Sequence, residues 1–227
     1  MEEVKVEAKD NDILSEVNDS FLRRKKKKNI IIFSIISAAV ILLSALIITF
    51  SAIKVNTKPT TISEPTKFDI TISGKTTSLD PTDENYDEFY NNFKSSFDIS
   101  YLTALFTNSL KEYEISETTD SFYSSYSNNV GSGKSSTLSN YLGDDYIHLY
   151  YSSEQKICKP NGDVYYSKRN TSKYELKYVD VYFPISSTNL FEEHTFYFGT
   201  FGYSSPRITT ISVNANTNNL YKFVKGL

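Results

Sequence analysis

The chain has 227 residues, and its 24 Lys and Arg against 27 Asp and Glu give a formal net charge of −3 at pH 7. From residue 67 onward, 14 basic residues stand against 19 acidic ones, so this part lacks the positive footprint of a nucleic-acid-binding protein. The chain's single cysteine, Cys158, excludes an internal disulfide, and packing alone must therefore stabilise the fold.

The strongest feature of the sequence is a long apolar segment near the N-terminus. Residues 30–53 include no charged side chain, and 15 of these 24 residues are Ile, Leu, Val or Phe. At about −0.3 to −0.6 kcal/mol for each strongly apolar residue, insertion into a bilayer is favoured by about 5 to 9 kcal/mol. A helix of this length measures about 36 Å, enough to cross a hydrocarbon core of about 30 Å. The sequence therefore predicts a transmembrane helix over residues 29–53, with Ile30 to Ile53 in the lipid bilayer.

Basic residues beside this segment predict its orientation. Six consecutive cations, Arg23 to Lys28, precede it, whereas only Lys54 and Lys58 follow it closely. Because cationic flanks stay inside the cell, we expect a cytoplasmic tail over residues 1–28 and a C-terminal domain on the outer side of the plasma membrane. The same cations suit anionic lipid head groups, at about 1 kcal/mol each. A cleavable signal peptide would need a shorter apolar region of roughly 7 to 15 residues, so an uncleaved signal anchor is favoured.

The residues after the span divide into a linker and a domain. Residues 54–66 are rich in Thr and include Pro59 and Pro65, a composition that predicts an extended spacer. Residues 67–227 hold all 18 tyrosines, enough aromatic surface for an ordinary core. Alternating apolar residues from Phe68 onward predict a first strand.

A helix is predicted next, with Asp80 as its N-cap and Pro81 as its first residue. The apolar pattern extends to about Lys111, with a second helix capped at Asp98. The buried face consists of aromatic residues at helical spacing: Tyr86, Phe89, Tyr90, Phe93 and Phe97.

Beyond the helices the apolar period changes to two, which predicts antiparallel strands. Residues 146–151 and 174–183 alternate strictly, and Asn161-Gly162 supplies the turn of a hairpin. Three further strands are predicted in the segments TFYFG, RITTISV and LYKFV. The sequence thus predicts an α+β domain with one or two helices packed on an antiparallel sheet. This layout resembles the cystatin-like and NTF2-like cones and the concave half-barrels of lipoprotein carriers, a resemblance that implies architecture and no function.

Alternation also predicts a ligand-binding face. If Ile147, Leu149 and Val181 point toward the helices, the reverse face displays aromatic rings among polar groups, a composition typical of interfaces and sugar platforms. The predicted ligand-binding residues are Tyr146, His148, Tyr150, Tyr178, Asp180 and Tyr182.

Catalytic, metal and cofactor signatures are not predicted. Residues 128–135 imitate a phosphate loop, but Asn128 replaces its first glycine. The two histidines, His148 and His194, do not assemble a zinc pattern with one cysteine. Acidic residues over 80–88 suit the dipole of a helix start.

We therefore expect a non-enzymatic, membrane-anchored extracytoplasmic module that binds a protein or an envelope polymer. One alternative is an envelope enzyme that cleaves glycans with two carboxylates facing each other across a cleft. Another is a structural subunit of a membrane complex, recruited through its span.

Overall fold

The computed structural model describes residues 2–107, 109, 113–118, 141–168, 174–201 and 207–226. The chain divides into two compact units, residues 1–52 and residues 53–227. The first unit is helical and the second unit combines helices with strands, so the observed class is α+β, as predicted.

The first unit is one helix, α1, from Glu2 to Ala52. Among the described residues, the part of α1 from Ser20 to Ala52 is long and apolar enough to cross a membrane, and its side chains are not covered by protein. Its length and composition fit a membrane anchor or a signal sequence.

The second unit starts with a short strand and ends with a helix. Its helices are α2 (Tyr86–Ser95), α3 (Tyr101–Phe106) and α4 (Asn218–Gly226). Its strands are β1 (Lys54–Asn56), β2 (Lys67–Ile72), β3 (Lys75–Leu79), β4 (Asp98–Ser100), β5 (Ile115–Thr118), β6 (Tyr146–Lys156), β7 (Lys177–Pro184), β8 (Glu192–Phe201) and β9 (Arg207–Ala215).

Within the described part of the chain, seven strands form one antiparallel sheet in the order β3-β2-β6-β7-β8-β9-β5. Strands β1 and β4 pair separately, also antiparallel. Helix α2 packs on α4, and α4 packs on β2, so one face of the sheet is covered by helices. The sheet therefore has a helix-covered face and a reverse face, and the main core lies on the former.

The aromatic face of α2 forms the centre of this core. Tyr86, Phe89 and Phe93 are buried and Tyr90 is half-buried, and Phe97, two residues beyond the end of α2, is buried beside them, so the predicted face is confirmed. Their rings meet those of the sheet, for example Phe93 against Phe183 at 6.0 Å between centroids. Packing of this kind favours the tilted and edge-on geometries seen here.

The start of α2 differs from the prediction. The main-chain N–H of Asp80 donates to Oδ2 of Asp83, and the N–H of Asp83 donates to the carbonyl of Asp80. These reciprocal bonds close a turn, and α2 begins only at Tyr86. The predicted capping residues therefore form a turn ahead of the helix. The second cap also moves, from Asp98 to Ser100, whose Oγ accepts from the N–H of Thr103 at 3.1 Å.

Residues 54–66, predicted as an extended spacer, are packed against the domain. The N–H of Thr57 donates to the carbonyl of Phe97, and its Oγ1 donates to the carbonyl of Asn214. Ile62 is 1% exposed and belongs to the main core. Threonine hydroxyls thus bond to neighbouring main chain where composition alone favours a solvated linker.

The segment LYKFV, predicted as a strand, lies in α4 instead. Leu220 and Val224 are both buried, and their spacing of four residues matches one helix turn. An apolar run of five residues fits both the helical period and the strand period, and tertiary packing decides which structure forms.

Candidate functional site

The reverse face of the sheet brings most of the predicted ligand-binding residues together. His148 in β6 lies directly between Asp69 of β2 and Tyr182 of β7. Tyr150, two residues along β6, pairs with Asp180. We call the following set the tyrosine–histidine cluster: Tyr146, His148, Tyr150, Asp180 and Tyr182.

Tyr178 does not share this face. It is 0% exposed and packs in the main core, with its ring 5.3 Å from Tyr151 and 5.0 Å from Phe198 between centroids. Burial raises the pKa of its hydroxyl, which donates to the carbonyl of Thr61. The predicted position of Tyr178 on the ligand face is therefore wrong.

A β-bulge explains the misplacement of Tyr178. Between Tyr178 and Val181, β7 has one residue more than the facing stretch of β8. A single extra residue moves every following side chain to the other face of the sheet. Tyr178 and Val181 therefore both point into the core, while Asp180 and Tyr182 reach the reverse face.

His148 is the centre of the cluster. Its ring stacks on Tyr182, with centroids 3.9 Å apart and planes inclined by 19°, and it lies 3.8 Å from the ring of Tyr150. Its Nε2 lies 3.3 Å from Oδ1 of Asp180. Two aromatic rings and a carboxylate thus fix the imidazole in one orientation, and His148 itself is buried.

A charged pair on β2, outside the predicted ligand-binding set, adjoins the cluster. Nζ of Lys67 lies 2.9 Å from Oδ1 of Asp69 and 5.2 Å from the ring centroid of Tyr150. Ser78 donates to the same carboxylate at 2.5 Å. Alternation of Lys67 and Asp69 with the buried Phe68 and Ile70 indicates the reverse face, but only the pairing of β2 with β6 brings these two residues to the cluster.

The electrostatics around Asp69 favour a fixed negative charge. Burial opposes ionisation, but hydrogen bonding by Ser78, Lys67 and Tyr150 lowers the pKa of this carboxyl below its usual range. Burial and the nearby Asp69 carboxylate raise the pKa of Tyr150, which stays protonated. A glycan-cleaving general acid needs a carboxyl whose pKa is raised, the opposite of what Asp69 shows.

A small apolar cluster borders the site on the same face. Leu142, Tyr146 and Ile208 are buried together, with Tyr182 and Tyr197 half-buried against them. One edge of the tyrosine–histidine cluster is therefore packed, while Lys67 and Tyr150 lie at the more exposed edge.

His194 occupies a separate position near the start of β8. Its Nδ1 donates to the carbonyl of Pro184 at 3.0 Å, and its buried Nε2 has no hydrogen-bond partner. Burial lowers the pKa of the imidazole, although Pro184 and Glu192 act in the other direction. The neutral form is therefore the favoured state of His194 in the folded domain.

Groups with metal-binding side chains are not found in the described ranges: no three His, Cys, Asp or Glu residues come together there. Asp80 and Asp83, in the acidic run over 80–88, accept hydrogen bonds within a turn. The loop over residues 128–135 lies outside the described residues.

Comparisons of the chain with protein-family models, with curated proteins and with solved structures found no match.

Proposed function

We propose that the chain is a single-pass membrane protein whose C-terminal domain lies outside the plasma membrane and binds a protein or an envelope polymer through the tyrosine–histidine cluster. One observation carries the proposal: the imidazole of His148 is held against the rings of Tyr150 and Tyr182, with Asp180 at its Nε2. Catalysis is not part of the proposal.

The chemistry of the cluster supports binding. Half-buried tyrosine rings offer rigid apolar area and a hydroxyl at low entropic cost. Lys67, Asp69 and Asp180 add charges of both signs around these rings. Binding hot spots typically combine aromatic rings with charged groups in this way.

The apolar helix supports the anchoring part of the proposal. The segment Ser20–Ala52 fits a membrane-crossing helix by length and composition, and Arg23 to Lys28 lie exposed along it. Since cations are retained in the cytoplasm, we infer a signal anchor with its N-terminus inside, and contact of these cations with anionic lipids.

Protease accessibility tests the orientation. In intact cells, an external protease should remove the residues after Lys54 while a tag at the N-terminus stays protected. Loss of the tag with retention of the domain would reverse the orientation, and protection of both would place the domain inside the cell.

Site-specific photo-crosslinking in intact cells tests the binding face. A benzophenone amino acid at Lys67 leaves the cluster complete and lies beside Tyr150, and the same amino acid at Glu88 provides the control on the exposed side of α2. We expect a discrete adduct from position 67 that is lost in the presence of Tyr182→Ala. Equal adducts from both positions, or an adduct unchanged by Tyr182→Ala, would contradict the proposal.

The finer architecture is also a proposal. We infer that the sheet curves around the helices as in cystatin-like and NTF2-like cones. Support comes from a long antiparallel sheet that carries α2 and α4 on one face and bulges in β6 and β7, since bulges increase strand bending.

A further inference from the structure

We propose that α3 is a membrane-interface contact of the outer domain, with Leu105 and Phe106 in the head-group region of the bilayer that α1 enters. The inference rests on the proposed membrane anchor.

A hydrogen bond at the start of α3 supports this assignment. The N–H of Tyr101, the first residue of α3, donates to the carbonyl of Ile53 at 2.8 Å. Ile53 directly follows α1, and the next residue, Lys54, pairs with Ser100. The first residue of α3 is therefore hydrogen-bonded to the last residue of the apolar segment.

Distance then limits how far α3 can lie from the lipid. At 1.5 Å per residue, its six residues extend about 9 Å. The interfacial layer on each side of a bilayer is roughly 5 to 8 Å thick, judged from the total and hydrocarbon thicknesses. If Ile53 is at the edge of the hydrocarbon, α3 lies within or directly beside the head groups.

Two of the three exposed side chains of α3 are apolar, and the third is Thr103. Phe106 is 82% exposed, the largest fraction among the large apolar side chains in the described part of the outer domain, and Leu105 is 49% exposed. Ala104 is fully buried, so the helix has one face on the domain and another face outward. No charged residue occurs between Asp98 and Lys111, which removes the usual electrostatic obstacle to lipid contact.

The helix is also held in place at both ends. Ser100 caps its start, and the N–H of Thr107 donates to the carbonyl of Thr103 at 2.9 Å. Just beyond it, Oγ of Ser109 accepts from Nδ2 of Asn214 in β9 at 2.8 Å. These bonds hold the outward apolar face in a fixed place, where an isolated helix of six residues would not form.

The bilayer is the occupant that these observations favour. A protein partner or a second copy would also cover Phe106, but neither explains why the helix that carries Phe106 starts beside Ile53. Aromatic and aliphatic side chains at the membrane–water boundary gain from partial burial in lipid.

Tryptophan fluorescence tests the proposal on the full chain, because the protein contains no tryptophan. Phe106→Trp, in vesicles of phosphatidylcholine with and without bromine on the acyl chains near the head group, places one reporter at the site. We expect a blue-shifted emission that is quenched by the brominated lipid. Ile41→Trp reports on the anchor within α1, and Tyr166→Trp reports on another exposed ring of the domain.

The outcomes separate this inference from the anchor. Quenching at Ile41 without quenching at Phe106 overturns the α3 contact and leaves the anchor standing. If neither position is quenched, the proposed anchor and the proposed α3 contact are both overturned. A blue shift at Phe106 without quenching indicates a protein contact and overturns the proposal. Equal quenching at Tyr166 and Phe106 shows the whole domain on the lipid and also overturns a local contact by α3.

Discussion

The hydroxyl of Tyr178 donates a hydrogen bond to the main-chain carbonyl of Thr61, which precedes it by 117 residues. Both residues are buried, so the bond joins a central strand to the segment that directly follows the apolar helix. A residue assigned by alternation to a binding face thus stabilises the domain from inside.

Tyr178→Ala and Tyr182→Ala should separate the two faces of β7. Removal of the buried Tyr178 ring leaves a cavity and an unpaired carbonyl, and should lower the free energy of unfolding by about 3 to 5 kcal/mol. Because Tyr182 is only half-buried, Tyr182→Ala should lower the free energy of unfolding by less. Denaturant unfolding of the full chain in detergent measures both, and Tyr178→Phe isolates the hydrogen bond. Equal losses for the two alanine variants would contradict the observed bulge.

Ile62→Ala tests whether residues 54–66 belong to the folded domain. Because Ile62 is buried in the main core, its truncation should cost about 2 to 5 kcal/mol. Glu64→Ala, at an exposed position of the same segment, should change stability by no more than about 0.5 kcal/mol. A free spacer would leave both melting temperatures unchanged.

His194 should make stability depend on pH below neutrality. Its pKa is lowered by burial below the unfolded value of 6.5, so the unfolded chain binds the proton more readily. The neutral His194 therefore contributes fully to the free energy of unfolding above pH 6.5. This contribution is lost as the pH falls through the pKa of His194 in the folded state. Unfolding measured at pH 7.5 and at several lower pH values should show a smaller decrease for His194→Gln than for the parent, while His148 is common to both. An identical decrease would mean that His194 does not titrate in this range.

The turn between β2 and β3 depends on two residues with positive φ, Ser73 at 51° and Gly74 at 81°. Such a pair defines a type I′ hairpin turn, which favours Asn-Gly. A Cβ on Gly74 would meet no neighbouring atom, so Gly74→Ala should cost about 1 to 2 kcal/mol through conformation alone. Ser73→Asn should raise the melting temperature slightly. A rise with both variants would mean that the turn has another geometry.

The sequence was most informative where one period continued without interruption. The buried face from Tyr86 to Phe97 was predicted correctly because its aromatic residues recur at helical spacing. The preceding strand, β2, alternates apolar and polar residues in sequence, so the two periods are easy to tell apart. The segment containing Leu220 was too short to separate helix from strand. Asp80 and Asp83 have capping chemistry, but that chemistry serves a turn as readily as a helix.

The candidate site was only partly accessible to the same reasoning. Alternation correctly put His148 and Tyr182 on one face, because the register between β6 and β7 is regular there. It failed at Tyr178, since an extra residue in β7 has no signature in residue type. Lys67 and Asp69 were missed because β2 pairs with β6 across a long stretch of chain, and their proximity to the cluster is a tertiary property.

The packing of α4 makes closure of the core depend on contacts between distant parts of the domain. The ring of Phe223 in α4 lies 6.0 Å from that of Phe89 in α2, and α4 also packs on β2 near the beginning of the domain. These contacts join positions that are far apart in the chain, and such distant pairings slow folding. The aromatic layer of α2 and β2 is therefore completed only when α4 docks on it, which makes that docking a long-range step of folding.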